Sequence, residues 1–209
     1  MADVVSRAPV EALERGKLER RQQILEAAKQ VFAEAGYHGA SINAIIERAQ
    51  IARGTFYLYF QSKAAVFDSI LDQAMADLRA RLHRIDVEDP AAAPPQVQLH
   101  DQVAATLGYV VGDRPLATLL LQSASTPAAE AAERLDQFYA EVRELIRRAL
   151  EQGTAIGLLR PCQPELTAGA LLGMVRGVIE VMMRSPDPQP VHEVVRELIS
   201  IGLRGVLAR

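Results

Sequence analysis

Along most of the chain, apolar residues recur at steps of three and four, the spacing of one helical face, with few β-branched alternations. Residues 1–16 show no such period and read as a mobile arm. Its Arg7 and Arg15, with Lys17, Arg20 and Arg21 just beyond, are placed to touch phosphate nonspecifically. From 17 to 35, Ile24, Ala28, Val31 and Phe32 form one stripe, and Gly36 stands where a helix stop is expected. Ile42, Ile45, Ile46 and Ala49 mark a short helix over 42–49, and a second piece covers about 53–60. Val66, Phe67, Ile70, Leu71, Ala74, Leu78 and Leu82 mark a long helix from Ser62 to about Arg84. A proline-punctuated connector over 87–96 follows. Further helices are predicted over 97–112, over 115 to about 124, and from the Thr126-Pro127 cap to about 152, where Gly153 ends the pattern. Two more cover 164–184 and 191–208. The pattern is all-α, about nine helices.

The stretch SINAIIERAQIARGTFYLYFQSK, residues 41–63, differs from the rest. Ser41 is placed to cap the 42–49 helix by taking one of the unpaired amides at its start. After a break around Gln50 to Arg53, the second piece exposes donors rather than apolar groups: Arg53, Thr55, Tyr57 and Tyr59. Two short helices joined by a tight turn, the second rich in donors, describe a helix-turn-helix whose second helix fits a DNA major groove.

Gly54-Thr55-Phe56-Tyr57-Leu58-Tyr59-Phe60 followed by Lys63 resembles the recognition helix of TetR/AcrR-type transcriptional regulators. Gly36 to Ser41 is similar to the segment that leads into the first helix of their motif. The likeness is close over roughly residues 20–67 and looser beyond. It implies an arm over 1–16, a three-helix DNA-binding domain over 17–62 and a larger ligand-binding and dimerisation domain over 63–209. Tyr57, Tyr59 and Lys63 become expected phosphate contacts, Ser41 both a cap and a backbone donor, and Arg53 and Thr55 the expected readers of base edges. Gly54 would permit close approach to DNA, and Phe56 and Phe60 read as core. Two positions depart from the family pattern: Gln50 stands where glycine is common, and Ala52 where a capping serine is common.

Composition narrows the class. The 209 residues are 49% hydrophobic and carry one cysteine, Cys162, so an internal disulfide is excluded and a reducing cytoplasm fits. No apolar run approaches the length of a membrane span and no signal-peptide core is seen, so the expectation is a soluble, cytoplasmic protein. Residues 1–63 hold nine Lys/Arg against seven Asp/Glu, whereas the remainder holds 14 against 19. A mildly basic head on an acidic body agrees with the motif, although charge alone would not have found it.

For the body, the resemblance implies a small-molecule pocket whose filling weakens DNA binding, and a homodimer that sets two recognition helices on a palindromic operator. His100, Gln122, Tyr139 and Met174 are the pocket candidates, for a small and largely apolar effector. Leu171, Val175, Val178 and Met182 on the penultimate helix, and Val195, Leu198, Ile199 and Gly202 on the last, are the candidates for a four-helix interface. Gly169, Gly173 and Gly177 stand four apart on a side that, on a helical wheel, also carries Arg176, Glu180 and Arg184, and the sequence leaves open which side meets a partner.

An enzyme is not expected. His38, His83, His100 and His192 fall on separate segments without metal-ligand spacing, Cys162 has no neighbouring histidine, and no phosphate loop or nucleophile elbow occurs. Neither a metal nor a cofactor is therefore expected. The partners foreseen are double-stranded operator DNA, a second copy of the chain and a hydrophobic effector, with no membrane. The alternative is a DNA-binding dimer without a small effector, controlled by a partner protein or by abundance.

Overall fold

The computed structural model describes residues 7–122 and 129–204, which form nine helices: α1 (Arg7–Gly39), α2 (Ile42–Ala49), α3 (Arg53–Tyr59), α4 (Lys63–Arg81), α5 (Pro95–Gly112), α6 (Arg114–Leu121), α7 (Ala129–Ala155), α8 (Pro164–Arg184) and α9 (Val191–Arg204). The fold is all-α, with a helix-turn-helix head of α1–α3 and a larger helical body. The predicted Thr126-Pro127 cap and the last positions of the final helix, Val206 and Ala208 among them, lie outside the described residues.

Side chains set most boundaries. Ser41 and Ser62 each accept from the amide three residues on, Ala44 and Ala65, at 3.1 Å. Asp113 does the same for Leu116 at 3.0 Å and so begins α6. Gly36 adopts φ 67°, ψ 168°, a conformation that favours glycine, and breaks α1 where the stop is predicted. At the other end α1 starts at Arg7, so much of the stretch that reads as an arm is helical.

Gly153 departs from its predicted role. The α7 helix runs past it to Ala155, and the chain turns at Gly157, with φ 74°. What Gly153 provides is room: a Cβ there would stand 2.7 Å from Leu159 Cδ1.

One core runs through head and body. Ile24, Ala28 and Phe32 of α1, Ile45 of α2, Phe56 of α3 and Val66 of α4 are all fully buried. Phe32, Tyr37 and Phe67 form a ring cluster with centroids 4.9–5.6 Å apart. The same core continues through Leu71, Ala74 and Leu78 of α4 to Leu116, Ala117 and Leu119 of α6 and Leu135 and Phe138 of α7.

The α8–α9 pair turns most of the assigned dimer face toward the chain's own core. Met182, Val195 and Leu198 are buried within the chain, Val175, Val178 and Ile199 pack against the same core, and Leu171 packs on a second cluster of Leu150, Leu159 and Ala168. Gly202 faces α8, where an added Cβ would meet Met174 Cε at 2.6 Å. The apolar faces read from periodicity are largely covered by the subunit itself, Met182, Val195 and Leu198 fully and the rest in part. The side left open on α8 carries Leu166 and Val181, each 69% exposed, with Gly173 and Gly177 between them and open space where their Cβ atoms would be. Arg176 is not on it, because its guanidinium lies 4.3 Å from the Tyr139 ring centroid on α7.

By length and composition α8 is apolar enough to cross a bilayer, with a mean hydropathy of 1.5 and only 22% of its apolar window buried. It carries Arg176 and Glu180 in mid-course, and its bare side is the glycine-spaced stripe just described.

Candidate nucleic-acid interface

The α3 helix is held from behind and open in front. Phe56 is fully buried and Phe60 nearly so, while Arg53 and Gly54 are exposed and Tyr57 is 44% exposed. The Arg53 guanidinium sits 5.8 Å from the Tyr57 ring centroid and donates to Asn43 Oδ1 at 3.4 Å, which steadies it beside the exposed face. Gly54 has open space around its Cβ position. Thr55 and Tyr59 are half-buried, the latter packed on the core.

Leu58 was missed in the sequence. It is 82% exposed on the helix that carries the donors. An apolar side chain there suits a thymine methyl group. The signal was available, since Leu58 lies between two tyrosines and off the Phe56–Phe60 face.

Lys63 needs a correction. Its ammonium donates to the carbonyls of Tyr37 at 2.7 Å and Ala40 at 3.0 Å and lies 4.4 Å from the Tyr37 ring centroid. It closes the chain after the Gly36 kink, so a phosphate would compete with two carbonyls for it. Ser41 caps α2 as expected.

The turn between α2 and α3 carries both departures noted in the sequence. Gln50 sits at φ 51°, ψ 46°, the left-handed region, with its amide on the carbonyls of Glu47 and Ile46. Ala52 has the extended backbone of an N-cap (φ −70°, ψ 148°) but no capping side chain. Gln23 holds the turn to α1 by donating to the Ala49 carbonyl at 2.7 Å. Replacing Gln50 by Gly should stabilise the fold by about 0.5–1 kcal/mol, because the roughly 1–2 kcal/mol cost of a side chain in this region is partly offset by glycine's greater loss of backbone entropy. Ala52→Ser should add about 1 kcal/mol through the restored cap. Denaturant unfolding measures both, and a loss of stability in either variant would contradict this account of the turn.

Polar ties hold head to body. Lys29 of α1 pairs with Asp113, the residue that caps α6, and with Glu26 at 2.8 Å. Burial alone would lower the Lys29 pKa, but the hydrogen bonds to Asp113 and Glu26 outweigh it and raise it above the ordinary value. At the other end of α6, Gln122 donates to the Phe32 carbonyl of α1 at 3.2 Å. The Tyr37 hydroxyl donates to Glu130 of α7 at 3.1 Å, and burial followed by this carboxylate pushes its pKa up to about 12. Arg134 of α7 reaches Asp68 at 3.0 Å and Asp72 at 2.5 Å on α4.

The four predicted pocket residues are not brought together. His100 keeps 39% of its side chain exposed and lies 3.2 Å from Asp101. Gln122 is engaged by α1, Tyr139 donates its hydroxyl to the Leu120 carbonyl, and Met174 packs beside Gly202. A cavity of about 170 Å³ instead lies between α1, α4, α5 and α6, with Glu26, Lys29, Gln73, Asp77, Tyr109 and Asp113 on its walls.

A donor-bearing helix-turn-helix fused by a shared core to a helical body defines a DNA-binding transcriptional regulator. Residues 24–70 match the model of bacterial regulatory proteins of the tetR family, and residues 92–180 match the tetracyclin repressor-like C-terminal domain. The chain belongs to the TetR family. It is 26% identical over 174 residues to the transcriptional repressor DhaR of a Mycobacterium species, spanning 83% of this chain and 87% of that one. To the repressor KstR of Mycobacterium tuberculosis it is 32% identical over 136 residues, 65% of this chain and 60% of that one. In fold it is similar to FadR of Bacillus subtilis, solved in complex with stearoyl-CoA, with a TM-score of 0.73, 19% identity and coverage of 88% and 98%.

Proposed function

We propose that the protein is a cytoplasmic repressor that binds a palindromic operator as a two-fold dimer and leaves it when a small, largely apolar ligand enters the body. One observation carries the reading. The recognition helix α3 is anchored by Phe56 and Phe60 to the core that also contains α6 and α7, so repacking in the body changes where α3 points. The repressors DhaR and KstR and the acyl-CoA complex of FadR support it as relatives in sequence or fold. Pairing uses the outward stripe of α8, where Gly173 and Gly177 let a second helix approach closely between Leu166 and Val181.

The test starts with selection of bound DNA from a random library, followed by release assays with a hydrophobic ligand collection. Arg53→Ala should relax base preference at particular positions of the selected site. Tyr57→Phe should weaken binding to all sequences alike and flatten its salt dependence. An unchanged consensus with Arg53→Ala would remove Arg53 from base readout. A site without two-fold symmetry would overturn the dimer, and failure of every ligand to release DNA would favour control by a partner protein or by abundance.

A further inference from the structure

The recognition surface is short of cations. Between Ser41 and Lys63 the chain carries Arg48, Arg53 and Lys63. Arg48 is held by Glu34 of α1 at 2.6 and 2.8 Å, and Lys63 by the carbonyls of Tyr37 and Ala40. That leaves Arg53, the expected base reader, to face a duplex with about one negative charge per 1.7 Å. The tyrosines of α3 supply hydrogen bonds there but no charge.

Cations stand next to it, on the first turns of α1. Every side chain from Ala12 to Arg20 is exposed, and a Cβ on Gly16 would have no atom within 4 Å. Two contacts fix where this run joins the head. The Arg21 guanidinium lies 5.3 Å from the ring centroid of Phe60, at the end of α3, and Gln23 donates to the Ala49 carbonyl at the end of α2. Positions 17, 20, 24, 27 and 31 follow each other by three or four and share one side of α1. Within the head that side is Ile24, Ala27 and Val31, all buried, and Gln23, Gln30 and Glu34 beside them reach α2. Further out it carries Lys17 and Arg20. The side of α1 that packs on the helix-turn-helix thus runs on past it as a basic edge. Neither cation is committed: Lys17 pairs with Glu14 at 3.0 Å with both side chains more than half exposed, and Arg20 donates to the neutral Gln23 at 2.7 Å. An exposed pair of this kind contributes little and gives way to a phosphate. From Ala12 to Arg21 the helix holds four cations (Arg15, Lys17, Arg20 and Arg21) against two carboxylates (Glu14 and Glu19).

We propose that Lys17 and Arg20, with Arg21 behind them, bind duplex phosphates beside the half-site read by α3, so that the first turns of α1 are a second DNA contact that reads no bases. The proposal rests on α3 as the reading helix and supplies the charge that α3 lacks. Phosphate contacts of this kind set register and salt-dependent affinity and leave sequence preference to the groove.

The test uses the full-length chain, the duplex obtained by selection and a scrambled duplex of the same length. Lys17→Gln combined with Arg20→Gln should weaken binding to both duplexes by at least about tenfold in 0.1 M salt. It should lower the slope of log affinity against log salt by about 1.8 per chain bound, 0.9 for each phosphate lost. Its Tm and the selected consensus should not change, because both positions are exposed and neither reads a base. Hydroxyl-radical cleavage should show backbone protection beside the half-site that the double variant loses, and protection under α3 that it keeps. Glu14→Gln releases Lys17 and should tighten binding about twofold. An unchanged salt slope, an altered consensus or weaker binding with Glu14→Gln would overturn the proposal. Arg53→Ala and Tyr57→Phe, measured in parallel, keep it separate from the reading of α3. If those two leave DNA binding intact while the double variant weakens it, α3 and not this edge is misassigned; the reverse pattern removes this edge alone.

Discussion

Val181→Glu should convert the dimer to a folded monomer and lower operator affinity by a hundredfold or more. Val181 is 69% exposed on α8, so a carboxylate there meets solvent in the single chain and should change its stability by no more than about 0.5 kcal/mol. In a pair of chains the same carboxylates would be buried against each other on the Leu166–Gly173–Gly177 stripe, where Arg184 is already held by Glu180. Losing the pair loses the second recognition helix, and joining two weak half-site contacts typically multiplies affinity by about 10²–10⁴. Sedimentation and a binding titration at matched chain concentration measure both effects. A dimer that survives Val181→Glu would move the interface off this stripe. Val195→Glu is the contrasting case: Val195 is fully buried inside the subunit, so this change should unfold the chain.

The second large effect is expected at Asp113. One carboxylate caps α6 through the Leu116 amide and holds Lys29 of α1, whose side chain is only 12% exposed. Asp113→Ala removes the cap, worth about 1 kcal/mol, and leaves the buried ammonium with Glu26 alone. The combined cost should be about 2–3 kcal/mol, below the full figure for a buried pair because Glu26 remains. Asp113→Asn keeps the cap and should recover about 1 kcal/mol of that loss. Denaturant unfolding of the three proteins separates the two roles, and an alanine variant less than about 1 kcal/mol destabilised would show that Lys29 does not hold the junction.

Much of this molecule is legible in its residues. Apolar spacing marks the helices other than α3 and the first turns of α1, Ser41 and Ser62 announce α2 and α4 because capping is local chemistry, and Gly36 breaks α1 where a stop is read. The motif at residues 41–63 reveals its two weak points, Gln50 and Ala52, for the same local reason. What was hidden is long-range. Nothing near Lys29 points to Asp113, 84 positions away. Lys63 looks like a phosphate ligand until the carbonyls of Tyr37 and Ala40 are seen to converge on it. Periodicity shows that α8 and α9 have apolar faces but not which neighbour covers them, so residues assigned to a partner turned out to face the chain's own core.

The bare side of α8 also bears on gene dosage. If only paired chains hold both half-sites, operator occupancy below the pairing constant rises with the square of chain concentration, and the dimer's own stability rises with it. A cell that halves its supply of this chain would then lose far more than half its repression. On that footing, the exposure of Leu166 and Val181 would sharpen the response of the controlled genes to the rate at which their regulator is made and diluted by growth.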